Sequence, residues 1–188
     1  MRLPRALARC WTTCAIVCTA SPLLAQGSAP PALPATAVHP CAERAESRQL
    51  DFWAGRWKVY PWGARDTAVL LGTSEVTPML ERCSLLENWT ATRGGNGKSL
   101  NVYDPSTRRW RQLWTDDSGH VLDYAGELRE GAMHFEGTTR DAAGKATLQR
   151  MIFVPVAPDS VRQIMEASGD GGKTWKRGWD AVYVRVKS

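Results

Sequence analysis

The 188 residues carry 24 basic and 19 acidic side chains, a formal net charge of +5 at pH 7. Three of the bases, Arg2, Arg5 and Arg9, lie in the first 25 positions, where there is no acid; without them 21 bases face 19 acids, and the densest remaining group is Arg108, Arg109 and Arg111. A nucleic-acid footprint is therefore not supported, and the arginine group reads as a solvated hairpin.

The positive start runs into an apolar stretch, Cys10 to Ala25, closing on Leu23, Leu24 and Ala25. That stretch is too short for an ordinary membrane span and ends in a small residue suited to signal peptidase, so residues 1–25 are expected to be an export signal. Val17 before Cys18 is the wrong residue for lipoprotein cleavage, and no further membrane segment follows. A periplasmic or extracellular product is expected. Residues 26–40, QGSAPPALPATAVHP, have no periodic apolar face to bury and read as a flexible tether. Of the five cysteines only Cys41 and Cys83 lie beyond the signal. One pair in an oxidising compartment predicts a disulfide, worth on the order of 4 kcal/mol in the chain-entropy model.

Residues 41–188 make one domain of ordinary size, with no internal repeat. Glu43 to Leu50 is expected to form a short helix leading through DFWAGRW to the first strand. Ten strands follow, at Arg56–Pro61, Thr67–Val76, Cys83–Thr92, Lys98–Asp104, Arg109–Asp116, His120–Leu128, Ala132–Arg140, Ala146–Pro155, Ser160–Ser168 and Thr174–Val186. The segments between them carry turn chemistry: RGGNG at 93–97, DPST at 104–107, DDSG at 116–119 and DAAG at 141–144. Ten short antiparallel strands must deal with their edges, and closure into a barrel does this more completely than a sandwich. Alternation turns Trp57 and Val59, Trp110, Gln112 and Trp114, Met133 and Phe135, and Val161, Gln163 and Met165 inward. Their neighbours Arg56, Lys58, Arg111, His134, Arg162 and Glu166 turn outward.

Gly55, Arg56 and Trp57 resemble the G-x-W entry of the calycin superfamily, in which a tryptophan of the first strand plugs one barrel end under a late arginine. The resemblance assigns that arginine to Arg185. More closely, DFWAGRWKVY, LLENW, GKSLNVYD, WRQLWTDDSG and VRQIMEASGDGGKTW, in this order between Gln49 and Arg185, resemble the DUF1579-type family of secreted bacterial proteins. That family implies a single all-β, calycin-like (lipocalin- or nitrobindin-like) antiparallel barrel with a short N-terminal helix. It implies no established activity.

Several motifs offer chemistry. Ser168, Asp170, Gly172, Thr174 and Trp175 match the Asp-box S-x-D-x-G-x-T-W, read here as a structural hairpin in which Asp170 ties down turn amides and Trp175 packs beneath. TRGGNGKS at 92–99 imitates a phosphate loop, but Thr92 replaces the first glycine and a strand follows where an anion cradle needs a helix. His39, His120 and His134 share no metal-ligand spacing, so no metal is expected. Nitrobindin-like barrels hold haem through a histidine, but His134 alternates outward and His120 sits at a turn, so no cofactor is assigned. Asn88 and Thr90 form a glycosylation sequon, discounted because signal and family look bacterial.

Glu87, in LLENW, is the one acid among apolar and aromatic neighbours on an expected core strand. Turned inward it is a candidate general acid or base; the other reading makes it a hydrogen-bonded partner of Arg150 or Tyr103. Trp89, Asn101, Tyr103, Gln112, Trp114 and Gln163 combine aromatic faces with polar tips on adjoining strands, as a ligand-binding barrel interior does; a filled core whose amides and indoles satisfy one another has the same composition. The favoured function is a noncatalytic exported barrel holding a small apolar or aromatic molecule. An exported enzyme using Glu87, and a haem protein, are the alternatives.

Overall fold

Alternating apolar and polar positions, interrupted every eight to twelve residues by turn formers, close on themselves in the computed structural model, which describes residues 41, 43–64 and 69–187. The expected signal segment, the tether and His39 lie outside the described residues. Ten antiparallel strands form a closed barrel: β1 (Gly55–Pro61), β2 (Gly72–Met79), β3 (Ser84–Ala91), β4 (Gly97–Asp104), β5 (Arg109–Asp116), β6 (Val121–Arg129), β7 (Ala132–Arg140), β8 (Ala146–Ala157), β9 (Ser160–Ser168) and β10 (Lys176–Arg185). Each strand pairs with its neighbours in sequence, and β1 pairs with β10, Trp57 opposite Arg185 and Val59 opposite Tyr183. Closure thus leaves no unpaired edge. No helix among the described residues is long and apolar enough to cross a membrane.

Some boundaries differ from expectation. The short helix expected at 43–50 is present as two single 3-10 turns, Ala45–Arg48 and Asp51–Trp53, with Leu50 buried between them. β2 starts at Gly72 and runs on to Met79, because the chain reverses only at Leu80, Glu81 and Arg82, all with positive φ. Cys83 closes that reversal and is disulfide-bonded to Cys41, a separation of 42 residues. The bond ties the segment ahead of the first 3-10 turn to the β2–β3 corner.

The two barrel ends are built differently. Beneath the first the 3-10 turns pack Leu50 and Trp53 against Trp57, Phe153 and Tyr183, all at most 2% exposed. Trp57 donates from Nε1 to the Trp53 carbonyl at 2.9 Å. The Arg185 guanidinium lies 4.1 Å from the Trp57 ring centroid and donates to the carbonyls of Ala54 (2.7 Å) and Phe52 (2.9 Å). One cation therefore holds the first strand, the last strand and the entering chain together, and closes this end.

At the opposite end lie the β3–β4, β5–β6, β7–β8 and β9–β10 connections, held by local side-chain hydrogen bonds. Asp116 Oδ1 accepts from the Ser118 and His120 amides. Asn96 accepts from the Ala91 amide, and its own amide donates to Asp117, so the 92–99 segment is a hairpin corner leading into β4. Asp170 accepts from the amide and hydroxyl of Thr174 and from the Ser168 hydroxyl, and Trp175 Nε1 donates to the Gly172 carbonyl. These bonds end the turn late, so β10 begins at Lys176 rather than Thr174.

Outside the barrel a ladder of charges runs across β8, β9 and β10. Arg150 and Arg177 share Glu166, and Arg177 and Arg162 share Asp180. Arg150 stacks on Trp175 at 4.2 Å and Arg162 on Trp62 at 4.3 Å. Glu166 and Asp180 are both held below the ordinary carboxylate range by these arginines, against the opposing effect of partial burial.

Candidate functional site

The half of the barrel farthest from the 3-10 turns holds a cavity of about 240 Å³. It exists because inward positions on two strands are small. β2 contributes Gly72 and Ser74, and β4 contributes Gly97 and Ser99, each pair spaced so that both residues face inward. Between them β3 turns Glu87 and Trp89 inward, with Ser74 opposite Trp89 and Ser99 opposite Glu87. A side chain at Gly72 would run into the Trp89 ring, and one at Gly97 into the Trp114 ring. The two glycines therefore let the indoles lie across neighbouring strands and shape the cavity wall.

Exposure grades the cavity from floor to mouth. Glu87, Gln112, Tyr124, Met151, Gln163 and Tyr183 are buried, whereas Trp89, Trp114, Met165 and Trp179 are partly exposed and His120 is exposed. The mouth thus opens beside the β5–β6 corner. Trp89 and Trp179 meet edge to face with centroids 5.9 Å apart.

The floor is polar on two sides. Glu87 accepts from the Ser74 hydroxyl on one carboxylate oxygen (2.9 Å) and from the Ser99 hydroxyl on the other (3.0 Å). Asn101 donates to Ser99 Oγ at 2.9 Å, and Gln112 donates to Asn101 Oδ1 at 2.7 Å. The row therefore runs Ser74, Glu87, Ser99, Asn101, Gln112 across β2 to β5. Facing it, the Tyr183 hydroxyl donates to Gln163 Oε1 at 3.0 Å. Burial pushes the Glu87 carboxyl up to about 7, the two serine hydroxyls offsetting part of the effect. The Tyr183 phenol is raised well above its ordinary value, first by burial and then by the charge of Glu87.

Two polar atoms on the wall lack a protein partner: Tyr124 Oη and Trp179 Nε1. Burial alone pushes the Tyr124 phenol up to about 12. Buried polar groups are ordinarily hydrogen-bonded, which sets these two atoms of cavity-lining residues apart.

Of the residues expected at the site, Trp89, Gln112, Trp114 and Gln163 line the cavity. Asn101 does not; it is fully buried one layer down and acts through Gln112. Tyr103 lies toward the closed end, its ring 6.2 Å from Trp110, because its position on β4 is past the cavity floor. Glu87 faces the cavity but is paired with neither Arg150 nor Tyr103: Arg150 is outside the barrel on Glu166, and the serines of the adjacent strands take both carboxylate oxygens. Sequence reasoning missed Leu122, Tyr124, Met151, Trp179 and Tyr183, whose inward direction depends on strand register and on the bulge between Arg177 and Trp179. A usable signal for the floor was present in the repeated Gly-x-Ser of 72–74 and 97–99 on either side of Glu87.

Haem does not fit this interior. An enclosed space of about 150 Å³ accepts a single benzene ring, so about 240 Å³ takes one or two rings and not a tetrapyrrole. His134 stands on the outer face of β7, its pKa lowered first by partial burial, and His120 is at the rim beside Asp116. In comparisons with family models and with curated proteins, the chain matches none.

Proposed function

We propose that this chain is an exported, calycin-like barrel protein that holds a small apolar or aromatic molecule, of one or two rings, without transforming it. The observation that carries this reading is the cavity of about 240 Å³, walled by the indoles of Trp89, Trp114 and Trp179 and bearing the polar side chains of Glu87, Gln112 and Gln163. Export is supported by the apolar leader and by the Cys41–Cys83 disulfide, a bond suited to an oxidising compartment. The five sequence blocks resembling the DUF1579-type secreted family support export and the barrel fold, and carry no information on the ligand.

A second reading is favoured by one observation. Glu87, in contact with the cavity and with its carboxyl pushed up to about 7, is poised as a general acid or base at neutral pH. A Glu87→Gln variant that keeps ligand affinity but loses turnover would establish this enzymatic alternative.

The binding reading is tested on the full chain produced in an exporting host, purified and examined by native mass spectrometry with an absorbance scan. A small molecule that co-purifies and leaves on denaturation is the expected result. A bare protein mass, with tryptophan fluorescence unmoved by one- and two-ring compounds, would overturn it.

A further inference from the structure

The chemistry of the cavity narrows its occupant. Glu87 is 3% exposed, and both its carboxylate oxygens face neutral hydroxyl donors. Among the described residues no lysine or arginine lines the cavity, and His120 stands at its exposed rim. A carboxylate inside a barrel without a cation of its own is an unusual arrangement, since buried charges are ordinarily paired.

The rest of the wall is suited to supply what the carboxylate lacks. Trp89, Trp114 and Trp179 present indole π-systems around the same space, and these attract cations through their quadrupoles. Tyr124 and Trp179, whose Oη and Nε1 atoms have no protein partner, belong to the same wall. Arginine side chains elsewhere in this protein use the same combination of carboxylate and indole: Arg150 joins Glu166 to Trp175, and Arg162 joins Asp180 to Trp62. Inside the barrel Glu87 and the indoles of Trp89, Trp114 and Trp179 bring the same two groups to one wall.

Resting on the binding reading above, we infer that the ligand is a small organic amine or quaternary ammonium compound on one or two rings. Its charged nitrogen lies against Glu87 and the indoles, and a polar group elsewhere on it meets Tyr124 or Trp179. A carboxylate-bearing or phosphate-bearing molecule is disfavoured, because Glu87 would repel it and no described residue of the wall is a lysine or arginine that could receive it.

A matched trio of single-ring probes tests this on the full mature protein at pH 8 by isothermal titration calorimetry and tryptophan fluorescence. Tyramine carries an ammonium, tyrosol has a hydroxyl in its place, and 4-hydroxyphenylacetate has a carboxylate. Tyramine is expected to bind at least about tenfold tighter than tyrosol, in keeping with a charge-assisted hydrogen bond, and 4-hydroxyphenylacetate weakest. Glu87→Gln is expected to erase the preference for tyramine over tyrosol. Equal binding of tyramine and tyrosol, or tightest binding of the acid, would overturn the cation inference and leave the binding reading standing. Failure of all three to bind would overturn both. The comparison among probes is made on the unaltered protein and does not depend on how the variant folds.

Discussion

Replacing Glu87 with glutamine removes a charge from the barrel floor while keeping the side chain's size; the amide oxygen accepts from one of the Ser74 and Ser99 hydroxyls, and the amide NH2 faces the other. In the folded protein the carboxyl ionises near 7, against an ordinary value of 4.5. Between these values the folded state holds a proton that the unfolded chain has released. Stability is therefore fully present below about pH 4.5 and falls as pH rises through about 7. The displacement corresponds to about 3 kcal/mol, reached above about pH 8. Denaturant unfolding of both proteins, disulfide intact, at intervals from pH 4 to pH 9 measures it as a difference. The difference between wild type and Glu87→Gln is expected to drift in the variant's favour by about 3 kcal/mol across that range. A difference constant with pH would refute the reasoning, because it would mean that Glu87 ionises in the folded protein as it does in water.

Other consequences concern the cavity wall, the closed barrel end and the disulfide. Tyr124→Phe removes a buried hydroxyl without a partner, so the ligand-free protein is expected to gain about 1 kcal/mol in denaturant unfolding while losing ligand affinity; a loss of stability would show that the hydroxyl is already satisfied. Arg185→Met deletes the stack on Trp57 and two charge-assisted hydrogen bonds to the entering chain, and is expected to lower stability by about 3 kcal/mol. Equal stability of that variant would contradict the role given to Arg185 in closing the barrel end. Replacing Cys41 and Cys83 together by serine is expected to lower stability by about 4 kcal/mol, seen as a fall in Tm, with the cavity still able to take its ligand because the bond lies at the other end of the barrel. With an amine probe, affinity is expected to rise as pH passes upward through about 7, as Glu87 ionises; Tyr124, Tyr183 and His120 are the other titratable groups on the wall.

The barrel was legible because its information is local. Turn residues such as those at 104–107, 116–119 and 141–144 mark where strands end, and alternation such as Trp110, Gln112, Trp114 marks which face is buried. The Trp57–Arg185 contact was legible for a different reason: a resemblance paired two positions that sequence separation alone would never connect. The cavity was legible only in part. Whether an interior is filled depends on which small inward residues fall side by side, and that is a matter of register. Gly72 and Gly97 make room only because they sit beside Trp89 and Trp114. Tyr103 was placed on the wall because it shares a face with Ser99 and Asn101, but strand direction carries it beyond the floor. Trp179 was missed because a bulge resets the alternation of β10 just before it.

The central claim, that the open half of the barrel is a small-molecule site, is tested most directly by methyl NMR of Met151 and Met165, which lie on the cavity wall, with Met79 and Met133 as references away from it. On titration with one- and two-ring compounds, amines among them, the account predicts saturable shifts of the Met151 and Met165 methyl signals and contacts from them to ligand protons, with Met79 and Met133 unmoved. Methyl signals of Met151 and Met165 that stay fixed through the whole set would contradict it.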